Sequence, residues 1–300
     1  MEARSLPAFL EPNFLRRLER LRLVAKKLAW SSLKGEHPSP KKGFSLEFSD
    51  YRNYQRGDDL RYVDWNVYRR LEKLFLKLST AEEEMNVYFL LDTSLSMTEG
   101  NPAKMDYAKT IAAALGYVGL KNLDRVGGAA FSTEDLSSLP LGRGKRQILA
   151  LFNFLSGLAC KGATDLQAAA RSFAVTFPRP GLVVVLSDLF DPAGWRAGLE
   201  ELAKKRHQLL VIHVLDENEG RPEAWGDVAL VEAESARERK LFVDADLVRR
   251  FQSEFESYVE EIRAFCFSRQ IDYLRTTTAT PFEEFVLSSL RQVRSIRSRF

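Results

Sequence analysis

Two aspartates and three hydroxyl residues are the groups in this chain whose types and spacing suit chemistry. Asp92-Thr93-Ser94-Leu95-Ser96 closes one short apolar run, Asp188 closes another, and Thr164 sits in the turn Gly162-Ala163-Thr164-Asp165. The alternation places Asp92, Ser94 and Ser96 in one oxygen-bearing set. Carboxylates and hydroxyls are hard ligands. Mg2+ takes about six oxygens in a near-octahedral shell and keeps several waters. Two carboxylates are too few to saturate such an ion, so one position stays open for a carboxylate from outside. Each residue alone has a plainer explanation. Asp92 could form a strand-end turn, Ser94 and Ser96 could cap a helix, Thr164 could cap the helix after it, and Asp188 could cap one after Pro192. The metal reading, with Mg2+ or Mn2+ as the ion, rests on the five taken together.

The elements around them read as alternating strands and helices. Val87 to Leu91, Arg125 to Phe131, Leu182 to Leu186 and Leu209 to Leu215 are short apolar runs, the pattern of strands buried on both faces. Lys104 to Leu120, Gln147 to Leu158, Asp165 to Phe177 and Trp195 to Lys205 have helical spacing. Such alternation predicts an α/β fold with a doubly wound, mostly parallel sheet of Rossmann type, with right-handed crossovers. Ligands of that architecture bind outside the carboxyl ends of the strands, where the strand order reverses. Further on, Val228 to Ala233 and Lys240 to Val243 read as a hairpin or paired edge strands, Leu247 to Phe267 as a long helix and Ile271 to Leu274 as a last strand. Thr280-Pro281-Phe282-Glu283 has the form of a capping box opening a final helix. Residues 1–80 are expected to form an N-terminal helical and β-rich extension, with an amphipathic helix over 8–34, and residues 81–300 the main domain. Within the extension, aromatics, arginines and aspartates interleave over residues 51–66. Arg56, Asp58, Asp59, Arg61 and Asp64 are expected to form a partly buried ion-pair network.

Asp92-x-Ser94-x-Ser96, then Thr164, then Asp188, resembles the metal-ion-dependent adhesion site of von Willebrand factor A domains. The resemblance implies that the serines and the threonine hold the ion, that the aspartates often act through water, and that a partner's acidic side chain completes the shell. A narrower resemblance covers almost the whole chain. Gly35-Glu36-His37, the run from Tyr54 to Asn66, Glu82 to Glu84 and the metal loop look like the DUF58 family. Its members are bacterial and archaeal proteins often encoded beside MoxR-type AAA+ ATPases. That implies a protein-interaction or adaptor module working with such an ATPase, rather than an enzyme. The enzyme alternative is metal-dependent phosphoryl transfer or a nuclease using Asp92 and Asp188. Against it, Ser94 stands where a phosphatase of the haloacid dehalogenase type needs a second acid.

Composition narrows the field. Lys plus Arg number 44 against 41 Asp plus Glu, a net charge of +3, which does not suggest a general nucleic-acid binder. Phe occurs 20 times, so a sizeable core is expected. The two cysteines, Cys160 and Cys266, lie far apart in apolar company, as buried thiols of a reducing compartment would. Residues 1–23 lack a continuous apolar core and are not read as a signal peptide. No run approaches the roughly 20 apolar residues of a membrane helix. A cytoplasmic location without a membrane span is the resulting expectation. Arg56-Gly57-Asp58 reads as an internal turn, Gly142 to Arg146 as a basic turn without P-loop spacing, and no zinc-protease motif occurs.

Overall fold

Residues that are apolar on every position can only be strands if both faces of their sheet are covered, and that requirement organises this chain. The computed structural model describes residues 13–21, 48–56, 58–79, 85–133, 136–204, 207–221, 225–231 and 238–297. The chain divides into two compact units, Leu28–Glu84 on its own and Met1–Lys27 together with Met85–Phe300. Helix α1 spans residues 14–21 and belongs to the larger unit.

In the smaller unit, β1 (Phe48–Asn53) pairs antiparallel with β2 (Phe75–Ser79), and the short helix α2 (Trp65–Leu71) lies between them in sequence. Asp64 is buried and caps α2, accepting from the backbone N–H of Asn66 at 2.9 Å and of Val67 at 3.3 Å. It also accepts from the Tyr51 hydroxyl at 2.8 Å, which ties the cap to β1. Of the expected partly buried ion-pair network, Asp58 takes a partly buried partner from outside the set, Arg52, which donates to it at 2.8 Å. Arg61 forks onto Asp59 at the surface, its own side chain 83% exposed. Residues two apart in a turn satisfy one another without needing burial, so the Arg61–Asp59 pair stays in water.

The larger unit is built on β3 (Asn86–Asp92), β4 (Arg125–Phe131), β5 (Leu136–Gly142), β6 (Leu182–Ser187), β7 (Gln208–Leu215) and β10 (Asp272–Thr277). These six strands lie in the order β10-β7-β6-β3-β4-β5. All neighbours run parallel except β5, which turns back antiparallel on β4 at the edge. The sheet is the doubly wound one that the alternating pattern predicts. Along β3, Val87, Phe89 and Leu91 face one layer and Tyr88 and Leu90 the other. The first layer holds α1, α3 (Lys104–Lys121), α4 (Lys145–Gly157) and α8 (Phe282–Arg297). The second holds α5 (Leu166–Thr176), α6 (Trp195–Ala203) and α7 (Ala245–Ser268). An antiparallel ribbon of β8 (Gly226–Val231) and β9 (Glu238–Val243) forms its own two-stranded sheet, as the expected hairpin.

Two expectations are modified. The extension does not behave as one segment to residue 80, because α1 joins the larger unit. Phe14 and Leu18 are fully buried in its first layer, and Phe14 meets Phe282 with ring centroids 5.3 Å apart. Fully burying each such side chain is worth roughly 1.5–3 kcal/mol. The remainder of the amphipathic stretch over 8–34 lies outside the described residues. The capping box also differs: Glu283 pairs with Arg17 of α1, and the Thr280 N–H donates to the Thr277 carbonyl at 3.0 Å.

Close strand packing explains one glycine. Gly128 on β4 lies opposite Phe89 on β3, and a Cβ there would fall 2.2 Å from the Phe89 carbonyl oxygen. Backbone cannot give way as a side chain does. Gly128→Ala is therefore expected to cost roughly 1–3 kcal/mol. Gly157→Ala, at the end of α4 with nothing within 4 Å of its Cβ, is expected to change stability by about 0.5 kcal/mol or less. Urea denaturation of the full chain compares the two; similar stability losses would refute the packing argument. In the smaller unit, Asp64→Ala is expected to cost about 1–2 kcal/mol of local stability. Hydrogen exchange of the Asn66 and Val67 amides should then quicken, by about tenfold if the loss is near 1.4 kcal/mol.

Candidate functional site

From β3 the chain passes through β4 and β5 on one side of the sheet, then through β6, β7 and β10 on the other. The crevice between the carboxyl ends of β3 and β6 is therefore the switch point where such sheets bind ligands. Asp92 is the last residue of β3, and Asp188 follows the last residue of β6. Neither exposes any surface.

The loop after Asp92 is fixed by its own backbone. Thr93 donates both its N–H, at 2.8 Å, and its hydroxyl, at 2.9 Å, to the Phe131 carbonyl at the end of β4. Leu95 N–H donates to Gly162 at 2.9 Å, and Lys161 N–H to Thr93 at 2.8 Å, so the loop is zipped to the segment that carries Thr164. Ser94 N–H turns back onto Asp92 Oδ1 at 3.0 Å. Ser94 then precedes a 3-10 turn, Leu95–Thr98, without capping it through its side chain; its hydroxyl lies 3.0 Å from that of Ser96 instead. Thr164 is likewise not the cap of α5. Asp165 has that role, accepting from Ala168 N–H at 2.8 Å, and the Thr164 hydroxyl donates to Asp92 Oδ2 at 3.1 Å. Asp92, Ser94, Thr164 and Asp188 are all buried, and Ser96 is half-buried at the rim. The plain capping roles open to these residues individually are thus largely not the ones they perform.

Several participants lie outside the five-residue motif. Ser187 donates to Asp92 Oδ2 at 2.6 Å. His213 on β7 is fully buried, with Nε2 2.9 Å from the Asp188 carbonyl and Nδ1 2.7 Å from the Tyr273 hydroxyl. A carbonyl can only accept, so Nε2 carries the proton and Nδ1 accepts from Tyr273. Burial lowers the pKa of His213 to about 4, which keeps the ring neutral. Lys104, the first residue of α3, is 1% exposed. Its ammonium donates to Asp188 Oδ2 at 2.7 Å and also to Glu219 in the loop after β7. Burial works against that charge, but the carboxylates of Asp188 and Glu219 outweigh it and raise the lysine above its usual pKa. The signal for Lys104 is weak: a basic residue opening an Ala- and Leu-rich helix, with nothing to name its partners.

The electrostatics are uneven between the two aspartates. Asp188 has a lysine; Asp92 has hydroxyls and an amide. Burial first, and the nearby charge of Asp188 second, push the Asp92 carboxyl up to about 7, against the pull of its hydrogen bonds from Ser187 and Ser94. Among the described residues no cation contacts that carboxyl, and hydroxyls and an amide surround it. That donor set fits Mg2+ or Mn2+. Among the described residues, no three of His, Cys, Asp or Glu gather as a metal cluster, so hydroxyls would have to make up the shell. Both cysteines are free thiols, Cys160 half-buried and Cys266 buried. Burial pushes them up to about 11 and about 12, which makes neither a ready nucleophile. None of the described helices is long and apolar enough to cross a membrane.

Comparison with known proteins places the chain. It is 28% identical over 242 residues to the uncharacterized protein Rv1480 of Mycobacterium tuberculosis, covering 79% of this chain and 76% of that one. Among solved structures it is similar to the conserved hypothetical protein BatB of Bacteroides thetaiotaomicron, with a TM-score of 0.42, 15% identity, and coverage of 70% of this chain and 99% of that one. It is also similar to the VWA domain of SpRpn10, with a TM-score of 0.39, 9% identity, and coverage of 69% and 95%. The profile described as "Protein of unknown function DUF58" matches residues 50–263, most of the chain and parts of both compact units. The chain belongs to the DUF58 family.

Proposed function

We propose that this protein is a metal-dependent interaction module. In this reading Asp92, Ser94, Ser96, Thr164 and Asp188 hold Mg2+ or Mn2+ at the switch point of the sheet. The observation that carries it is the convergence of these five oxygen-bearing residues on a crevice whose central carboxyl, Asp92, is buried and, among the described residues, contacted by hydroxyls and an amide rather than by a cation. When bound, the ion supplies an open coordination position to an outside carboxylate. The chain's own residues do the rest. Ser94 N–H, Ser187 and Thr164 orient Asp92. The neutral His213 braces the Asp188 backbone from beneath. Half-buried Ser96 marks the side from which a partner approaches.

A partner's Asp or Glu would complete the shell, giving an affinity that depends on the metal, while contacts around it give specificity. The family resemblance makes a MoxR-type AAA+ ATPase the partner to test, in the cytoplasm. Phosphoryl transfer is the second reading, and the ammonium of Lys104 beside Asp188 is the feature that favours it. That lysine is enclosed and already shared between two carboxylates, however, and Ser94 stands where a general acid is needed. Mg2+-dependent hydrolysis of an aryl phosphate, lost in Asp92→Ala, would establish that alternative.

Calorimetric titration with Mg2+ and Mn2+ tests the site. Asp92→Ala should reduce affinity about a hundredfold or more, since it removes one of two carboxylates near the ion. Circular dichroism should show the fold retained. Equal affinity in the two proteins would sink the assignment. Titration of the cognate ATPase against this protein in Mg2+, then in EDTA, tests the bridge. Binding should be lost on chelation and in Asp92→Ala; a complex indifferent to both would rule out a metal-bridged contact.

A further inference from the structure

The Lys104 ammonium occupies a place where a metal site has no evident need of a positive charge. It lies at the first residue of α3, 2.7 Å from Asp188 Oδ2, and 5.4 Å from the centroid of the Phe190 ring. Glu219 grips it from the other side. The other oxygen of Asp188 is engaged as well, accepting from Phe190 N–H at 3.2 Å. An ion entering the crevice would therefore meet Asp92 held, among the described residues, only by neutral hydroxyl and amide donors, but Asp188 committed to a cation the protein carries itself.

The holder of that cation is also built. Glu219 Oε2 accepts from the backbone N–H of Asp216 at 2.8 Å. Asp216, at the carboxyl end of β7, is fixed in turn by the Asn218 N–H at 3.0 Å and the Thr278 hydroxyl at 3.1 Å. Glu219 is thus aimed at Lys104 by a hydrogen-bonded loop. It gives the ammonium a carboxylate to stay with when Asp188 is withdrawn. A lone lysine on Asp188 would have no such second station, and leaving would strand it buried and unpaired.

We propose that Lys104 is the residue that sets metal affinity at this site: it competes with the divalent ion for Asp188, with Glu219 as the carboxylate that retains it when the ion binds. The inference rests on the metal reading of the previous section and adds to it a determinant that the five-residue motif does not contain. Removing a positive charge beside a divalent ion, and freeing a ligand oxygen, both act toward tighter binding.

The experiment is Mn2+ titration of the full-length protein by calorimetry and by electron paramagnetic resonance of free Mn2+. The proteins compared are wild type, Lys104→Met, Lys104→Arg, the double variant Lys104→Met with Glu219→Gln, and Asp92→Ala. Lys104→Met should bind Mn2+ about tenfold tighter or more, and Lys104→Arg should remain close to wild type. Lys104→Met leaves buried Asp188 and half-buried Glu219 without their cation, which works against folding, so the double variant decides. It removes one positive and one negative charge together. The site's net charge is unchanged, and release of Asp188 Oδ2 is what remains. It too should bind tighter than wild type. Wild-type binding that is abolished by Asp92→Ala but not strengthened in the double variant would overturn the inference and leave the metal site standing. Absence of Mn2+ binding in every protein would overturn the metal reading and this inference with it.

Discussion

Asp92 and Asp188 are two like charges held without solvent contact at the ends of adjacent regions of one sheet, and the surroundings can be understood as answers to that cost. Isolated buried carboxylates are expensive, so each must find donors, a cation or a proton. Asp188 finds Lys104. Asp92 finds hydroxyls and an amide, and its affinity for a proton rises to compensate. The two solutions are not equivalent, because an ammonium cancels charge and hydroxyls only solvate it. The asymmetry leaves a site poised toward further positive charge on one side only. The same constraint explains why His213 is neutral: its ring braces the Asp188 carbonyl, and burial rather than the neighbouring carboxylate decides its state.

The main sheet was legible in the sequence because it is buried on both faces. Runs such as Val87–Leu91 and Leu182–Leu186 have no polar residue to place in water, which leaves little doubt about period or length. Strand β5 was not legible. Leu136–Gly142 mixes serines with a proline at a half-exposed antiparallel edge, where neither alternation nor an apolar run is required. Helix α2 escaped for a different reason. It is one short helix with no buried residue of its own, held by the Asp64 cap rather than by an apolar stripe, so its sequence carries no 3.6-residue signal.

The site divides the same way. The five motif residues could be listed in chain order because Asp92 and Asp188 stand at the ends of strongly patterned strands, the serines follow Asp92 at alternate positions, and Thr164 lies just before α5. Ser187 adjoins Asp188 and could have been noticed as a hydroxyl on the same strand end. Lys104 and Glu219 could not be paired by inspection. Their contact joins the start of α3 to a loop beyond β7, and only the topology of the sheet brings those two places together. Charged residues in sequence are read by default as solvated, and for Lys104, 1% exposed, that default fails.

The strand order has a consequence for how the site comes into being. β6 lies between β3 and β7, yet it is synthesised after β4 and β5 have already passed. Until β6 docks alongside β3, neither Ser187 nor Asp188 is beside Asp92. On a growing chain an ion would meet a single loose ligand, too weak to hold it. Insertion of β6 is therefore the step that brings Ser187 and Asp188 beside Asp92, and contacts so distant in sequence form slowly. An ion binding only after that step would leave the early collapse untouched and act chiefly to slow the strand's departure.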